Sequence, residues 1–127
     1  MGKAAAILAL GLAAMAPAMA FAATEEVVVV GVPDGRLAAG ALVAGDYGRA
    51  ARRLEAVRPD AANDPARLIN LGNAYAGMGR IDAAHAAYKA ARFAPDTPLV
   101  TADGNEASSR DIARRALGRL NAQYAMR

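Results

Sequence analysis

The sequence contains no cysteine and only one histidine, so it has few of the side chains that metal binding and nucleophilic catalysis require. Without thiols the chain can form neither a disulfide framework nor a thiolate metal site. His85 stands alone, without a second metal ligand or a serine–aspartate pair at a suitable spacing. Most carboxylates fall in predicted loops and helix starts, where the helix dipole accounts for them. We therefore expect no cofactor, no metal and no enzymatic activity.

Large side chains are scarce as well. The 127 residues include two phenylalanines and four tyrosines, and alanine supplies much of the 55% hydrophobic content. A chain of this length forms one small domain that buries roughly two-thirds of the surface its unfolded chain exposes. A large binding cavity is therefore not expected.

Lysine is also rare, and arginine carries nearly all the positive charge behind the formal net charge of +3. A basic balance can mark nucleic-acid or membrane binding. Here, however, 12 acidic residues are interspersed along the chain. Abundant arginine and alanine are also what a biased genome composition produces, so the net charge by itself assigns no partner.

Residues 1–22 have the pattern of a secretory signal peptide and are not expected to belong to the fold. Lys3 supplies the positive start, an apolar stretch follows over 4–14, and small residues permit cleavage after Ala20 or Ala22. Cleavage would make the protein periplasmic or secreted, in a bacterium. Retention as a membrane anchor is the alternative, since the whole apolar run from Ala4 to Ala23 is long enough to span a bilayer.

Residues 23–35 are predicted to form an extended arm or a short strand. Valines occupy all of 27–30, and valine favours extended backbone. Pro33-Asp34-Gly35 then gives a turn signal. A strand whose apolar edge is exposed invites association, so we expect this segment to pair with another part of the chain.

Residues 64–95 predict two short helices separated by a glycine-containing turn at 77–79. Apolar side chains recur every three or four residues in both halves, which is the period of a helix face packed on a core. Gly72 lies beside the first stripe, where a missing side chain lets another helix approach closely. The stripe residues are Leu68, Leu71, Tyr75 and Met78 in the first helix, and Ile81, Ala84, Tyr88 and Ala91 in the second.

The stretch 36–57 repeats this pattern at an offset of 34 residues, as from Leu37 to Leu71 (71 − 37 = 34). Helix–turn–helix content with this period is typical of tetratricopeptide repeats. The other matched pairs are Gly45 and Gly79, Tyr47 and Ile81, Ala50 and Ala84, Leu54 and Tyr88, and Val57 and Ala91.

Residues 65–95 resemble the tetratricopeptide motif itself. The copy over 32–60 is degenerate, because Ala38 and Ala41 replace the glycine and the tyrosine of the motif. Together the two copies cover about half of the chain. The residues that carry the resemblance are Leu71 and Gly72, Tyr75, Ala84, Tyr88 and Ala91, at the motif's Leu-Gly, Tyr, Ala, aromatic and Ala positions.

The resemblance implies a mainly α fold, with two tetratricopeptide-like helix hairpins in a helical domain over 36–127. A final helix, striped by apolar residues such as Ile112 and Leu120, would cap the array. Ser108 followed by Asp111 gives this helix a capping box. Two repeats are fewer than the roughly three usually needed for stability, so other elements or self-association must supply the missing apolar contact.

A small β patch is predicted beside the helices. Asp103-Gly104 is a strong signal for a hairpin turn, which places a short hairpin over 99–107. The valines of 27–31 are the strand expected to pair with it.

By the same resemblance, one face of the first helix in 65–95 lines a concave groove. Asparagines at such positions hydrogen-bond the backbone of an extended peptide in the family, and those expected here are Asn70 and Asn73. The lysines that clamp a peptide's terminal carboxylate are absent, with Ile69 at one such place. The expected partner is therefore a protein or peptide of the bacterial envelope. The predicted partner-binding residues are Ile69, Asn70, Asn73 and Gly77.

Four arginines give the last helix a cationic side, which predicts an alternative function in binding an anionic surface. A lipid membrane, a cell-wall polymer or an acidic protein would supply the negative charge. Nucleic acid is not expected, because the protein is predicted to be exported and no aromatic residue stands among these arginines. The residues are Arg110, Arg114, Arg115 and Arg119.

Overall fold

The computed structural model describes residues 27–30, 36–56 and 61–125. The predicted signal peptide, its cleavage sites and the turn at 33–35 lie outside these residues. The described chain is mainly helical with a small three-stranded antiparallel sheet, which confirms the predicted fold class. None of its helices is long and apolar enough to cross a membrane. The helices are α1 (Ala39–Val43), α2 (Tyr47–Glu55), α3 (Pro65–Gly77), α4 (Ile81–Phe93) and α5 (Ser109–Ala125), and the strands are β1 (Val29–Val30), β2 (Pro98–Thr101) and β3 (Glu106–Ser108).

The repeat offset predicted from the sequence reappears in the turns that join α1 to α2 and α3 to α4. Gly45 has a φ of 80° and Gly79 a φ of 79°, a left-handed conformation that glycine adopts without penalty. α2 begins at Tyr47 and α4 at Ile81, which are 34 residues apart (81 − 47 = 34). The two helices within each pair are therefore joined by the same kind of turn.

The first helix of each pair differs in length, with 5 residues in α1 and 13 in α3. The Asp64 carboxylate caps α3 by accepting from the Ala66 N–H at 3.0 Å, and Pro65 takes the first helical position, as predicted. α1 instead follows Ala38, which has a φ of 53° and no side-chain cap. Leu37 therefore precedes α1, and the degenerate first copy lacks the first turns of its helix.

Small residues lie where the helices pack together. Ala50 on α2 and Ala84 on α4 are fully buried, as their size and spacing predicted. Gly72 on α3 faces Tyr88 on α4, and a Cβ at Gly72 would lie 2.5 Å from the ring atom Cε1. α4 can therefore approach α3 closely, which confirms the role predicted for Gly72.

The valine run pairs with the predicted hairpin in the order β1-β2-β3. Val29 lies opposite Thr101, and Leu99 lies opposite Ala107. Gly104, with a φ of 88°, lies in the loop between β2 and β3. The predicted β patch is thus present: β1 is shorter than the predicted 27–31, and the hairpin extends one residue beyond each end of the predicted 99–107.

One face of the sheet packs on the helices. Val29 and Ile112 are buried in one apolar cluster with Ile69, and Leu99 and Ala107 pack against it. α5 packs along α4 and also contacts α3. The sheet and α5 therefore cover apolar surface that two helix pairs alone would expose.

Candidate functional site

The predicted groove residues lie beneath β1. Asn70 and Asn73 are one turn apart on α3, so their side chains point to the same side of the helix. Their exposed fractions are 0% and 1%, and that of Ile69 is 0%. The expectation of an open groove is therefore wrong in this structure, because a segment of the same chain covers the groove. We call Ile69, Asn70 and Asn73 of α3, with Val100 and Thr101 of β2, the strand cradle.

Asn70 binds both backbone groups of a single residue in β1. Its Oδ1 accepts from the Val29 N–H at 2.9 Å, and its Nδ2 donates to the Val29 carbonyl at 2.8 Å. Only one orientation of the side-chain amide makes both contacts, since the backbone N–H must face the amide oxygen. Nδ2 also donates to the Leu37 carbonyl at 2.8 Å. The side chain of Asn70 thus takes the place of a neighbouring strand.

Asn73 extends this contact along the same segment. Its Nδ2 donates to the Val27 carbonyl at 3.0 Å and to Asn70 Oδ1 at 3.4 Å. The buried Tyr88 hydroxyl donates to Asn73 Oδ1 at 2.7 Å. Because the Tyr88 ring also packs over Gly72, one side chain on α4 both joins the helices and orients the amide that holds β1.

β2 holds the opposite edge of the same segment. Val29 pairs with Thr101 and Val30 with Val100 in antiparallel register, and the Ala102 N–H donates to the Val28 carbonyl at 2.8 Å. The side chain of Val29 is only 1% exposed. The cradle therefore holds an extended segment by its backbone on two edges and by one buried aliphatic side chain.

The buried amides are stabilising only while their partners are present. A buried hydrogen bond contributes about 1 kcal/mol net, whereas a buried polar group without a partner costs about 1–3 kcal/mol. Asn70 and Asn73 together make the contacts to Val29, Val27 and Tyr88 described above. Whatever segment occupies the cradle must therefore be extended and must supply backbone groups at matching positions.

Gly77, the fourth predicted partner-binding residue, does not belong to the cradle. It lies at the end of α3, where a Cβ would come within 2.4 Å of the Tyr47 ring. Its missing side chain therefore makes room for the first residue of α2. The prediction placed Gly77 in the groove because helical spacing alone does not show which neighbour a face meets.

The arginines predicted on α5 do not form one continuous patch. They make two pairs, and the two arginines of each pair are four residues apart in the sequence. A rotation of about 100° per residue places the two pairs on opposite borders of the exposed helix face. Beside the first pair, the Asp111 carboxylate forms an ion pair with Arg114 at 2.6 Å. The pairs are Arg110 with Arg114, and Arg115 with Arg119.

The single histidine lies apart from the cradle. His85 is exposed beside a shallow cleft of about 270 Å³ between α4 and α5, which Asp82 and Asn121 also line. Within the described ranges, no group of three His, Asp or Glu side chains is placed to hold a metal ion. Among the described residues that line this cleft, Asp82 supplies the one carboxylate that accompanies His85.

Sequence reasoning identified the two asparagines and missed their occupant. The valine run carried two signals, a preference for extended backbone and the need for a partner at its edge. Both were assigned to the hairpin over 99–107, and only one edge of a strand can pair there. The free second edge was the signal that could have linked residues 27–30 to Asn70 and Asn73.

No protein-family model matches this chain, and no curated protein or solved structure matches it. The tetratricopeptide resemblance of residues 65–95 therefore stays a prediction from the sequence. The contacts of the strand cradle are the observations from which a function can be argued.

Proposed function

We propose that this protein is an exported, non-catalytic interaction module, similar to tetratricopeptide proteins, that binds an extended segment of another protein of the bacterial envelope. The observation that carries the proposal is the double hydrogen bond between the Asn70 amide and the backbone of Val29. A backbone N–H and a backbone carbonyl occur in every residue except proline. Extended segments of many different sequences can therefore form the same two hydrogen bonds with the Asn70 amide.

The rest of the cradle supports recognition of an added strand. Peptide recognition by strand addition takes affinity from main-chain hydrogen bonds and specificity from pockets for alternate side chains. Here the Ala102 N–H at the end of β2 offers a main-chain donor to the segment, and the apolar cluster around Ile69 and Ile112 offers the pocket. The export pattern over residues 1–22 supports the bacterial envelope as the compartment of such a partner.

Site-specific photo-crosslinking in living cells tests this function. A benzoylphenylalanine at Val100, which is 45% exposed on the β2 side of the cradle, should form a discrete adduct with an envelope protein. The same probe at Val43, which is 68% exposed on α1, is the matched control and should form none. Asn70→Ala should reduce the Val100 adduct at least fivefold, with protein level and helical content checked. Equal adducts at both positions, or an adduct unaffected by Asn70→Ala, would contradict the proposal.

The alternative proposal, binding of an anionic lipid or cell-wall polymer, draws on the arginines of α5. It is the weaker one, because a flat surface meets only one border of the helix at a time. Glutamine at Arg114, Arg115 and Arg119 should abolish retention on anionic vesicles under this proposal, while Asn73→Ala should leave retention unchanged. Loss of retention in the Asn73 variant alone would instead favour the cradle.

A further inference from the structure

We propose that residues 27–30 are a built-in occupant of the strand cradle, which an extended, β-branched segment of a partner protein replaces; this inference rests on the function proposed above. The structure already shows the cradle filled, so the resident segment reveals the chemistry that the site accepts. The occupant is extended, antiparallel to β2 and apolar at one position. A partner segment must share these properties to take its place.

β1 is held by a short ladder on one edge and by side-chain amides on the other. Its ladder with β2 is only two residue pairs long. On the other edge β1 meets no strand of the described chain, and the side chains of Asn70 and Asn73 make the contacts instead. When the segment leaves, water can take over the hydrogen bonds that both amides lose. The segment can therefore be exchanged without a permanent penalty at the cradle.

Most of the helical frame does not depend on β1. The cluster between α4 and α5 contains no residue from 27–30. The buried members of the cluster between α2 and α3 come from the helices and from Ala38. Among the described residues outside the helices, Val28 is the one that packs against this cluster. Replacement of the segment therefore disturbs mainly the third cluster, where Val29 lies with Ile69 and Ile112.

The contacts define which segment fits. Asn70 needs both an N–H and a carbonyl at the position of Val29, so proline is excluded there. Asn73 takes the carbonyl two residues earlier, at Val27. The buried position suits a β-branched aliphatic side chain, whereas the next position, Val30, is 41% exposed and tolerates many side chains. The partner class is thus an extended segment with a valine-like residue and no proline at the central position.

Competition with the resident segment sets the affinity. A tethered segment has an effective concentration of roughly millimolar. The association constant measured for an outside ligand equals the intrinsic constant multiplied by the fraction of cradles that are empty. The unmodified protein should therefore bind a partner segment weakly. Weakening the hold on the resident segment, without altering the cradle, should increase binding.

Fluorescence anisotropy with a labelled peptide of the sequence of residues 24–32 tests the exchange. The protein as purified from an expressing bacterium should bind this peptide weakly, and the Val29→Asp variant should bind it at least tenfold more tightly. A second peptide with proline at the position of Val29 is the matched control and should not bind. Adding Asn70→Ala to the Val29→Asp variant should abolish binding. Equal affinity for both peptides, or no gain in the Val29→Asp variant with its helical content retained, would overturn the proposal.

Hydrogen exchange on the unmodified protein keeps the test valid if the Val29→Asp variant fails to fold. The Val29 and Ala102 amides report the two edges of the segment, and they should exchange at least tenfold faster than buried amides of α3 such as that of Ala74. Exchange of all three only with global unfolding would overturn the proposal. A dimer that free peptide dissociates would identify a second copy as the occupant, which also overturns the assignment to another protein. If exchange fails while the Val100 adduct in cells persists, the proposed function stands without this mechanism.

Discussion

At the scale of single residues, the buried amide of Asn73 depends on a hydroxyl from the neighbouring helix. The Tyr88 hydroxyl donates to Asn73 Oδ1 at 2.7 Å, and Tyr88 is only 2% exposed. Tyr88→Phe keeps the ring and leaves that oxygen buried without this donor, so we expect a loss of about 1–3 kcal/mol in the free energy of unfolding. Urea denaturation measures the loss. Tyr75→Phe, which removes an exposed hydrogen bond to Glu55, is the control and should cost less.

The close approach at Gly72 gives a second residue-scale prediction. Alanine normally favours a helix interior over glycine by about 1 kcal/mol, yet a Cβ at Gly72 would lie 2.5 Å from the Tyr88 ring. Because that ring is buried, we expect Gly72→Ala to destabilise the protein by about 1–3 kcal/mol. Gly118→Ala on α5, where a Cβ meets nothing within 4 Å, is the matched control and should be neutral or stabilising. A stabilising Gly72→Ala would contradict the packing described here.

Residue spacing predicted part of this network. Gly72, Tyr88 and the two asparagines follow from helical periodicity, since residues three or four apart share a face. What spacing cannot supply is the identity of the group that a polar side chain meets in a distant segment. The Val27 and Val29 backbone atoms lie 46 and 41 residues from the asparagines that bind them, and no local rule links positions so far apart.

At the scale of elements, Arg67 on α3 secures the end of α2. Its Nη1 donates to the Leu54 carbonyl at 2.8 Å and its Nε to the Ala61 carbonyl at 2.9 Å. Lysine cannot reproduce this planar fork, so Arg67→Lys should lower the free energy of unfolding by about 1–2 kcal/mol. Arg115→Lys on the exposed side of α5 should change it by less than about 0.5 kcal/mol. Similar effects of the two variants in urea denaturation would contradict this role.

The start of α5 predicts a dependence of stability on pH. The Asp111 N–H bonds to Ser108 Oγ at 3.3 Å, as the capping box predicted. Asp96, which the sequence did not point to, accepts from the Ser108 hydroxyl and the Arg110 N–H, and these bonds lower the pKa of Asp96 below its ordinary 3.8. A lowered folded pKa stabilises the protein above the ordinary pKa, and this contribution is lost as pH falls through the folded value.

We therefore expect Asp96→Asn to lower the urea midpoint at pH 7 and to have a shrinking effect as pH falls below 3.8. Midpoints measured from pH 7 to pH 2 would show this convergence. Glu106→Gln, on an exposed strand position nearby, is the control and should show no comparable cap effect. A difference between Asp96→Asn and the unmodified protein that stays constant over the whole range would contradict the assignment.

The sequence predicted which segments are helical better than it predicted how long the helices are. The turns and the start of α3 were predictable because Gly45, Gly79 and Asp64 act locally. The shortness of α1 was not, since its start depends on Ala38, an alanine with a φ of 53°. A left-handed alanine is disfavoured by its own sterics, so only contacts elsewhere in the fold can select it.

At the scale of the whole molecule, the sequence predicted the helices and the sheet but left two ways of covering the apolar faces of the helix pairs. Two helix pairs leave apolar faces exposed, and either self-association or additional elements had to cover them. In the structure the sheet covers α3 and α5 covers α4, with Val29 and Ile112 in one cluster and Tyr88 and Leu120 in another. Self-association is therefore not needed to bury these faces.

The outer face of the sheet leaves two neighbouring valines exposed. Val30 and Val100 are cross-strand neighbours with exposed fractions of 41% and 45%, and Glu106 pairs with Val100 in the same row. A charge in such a row opposes edge and face association. Two valines also fall far short of the roughly 1,000 Å² that a stable interface buries.

We therefore expect the purified protein to be a monomer at micromolar concentration. Size-exclusion chromatography with light scattering measures its molar mass. Glu106→Val should shift the protein towards larger species, because the charged side chain beside Val100 is lost. Glu55→Gln, away from the sheet, is the control and should not. A dimer of the unmodified protein that survives dilution would show that the sheet and α5 do not close the fold, and that a second copy completes it.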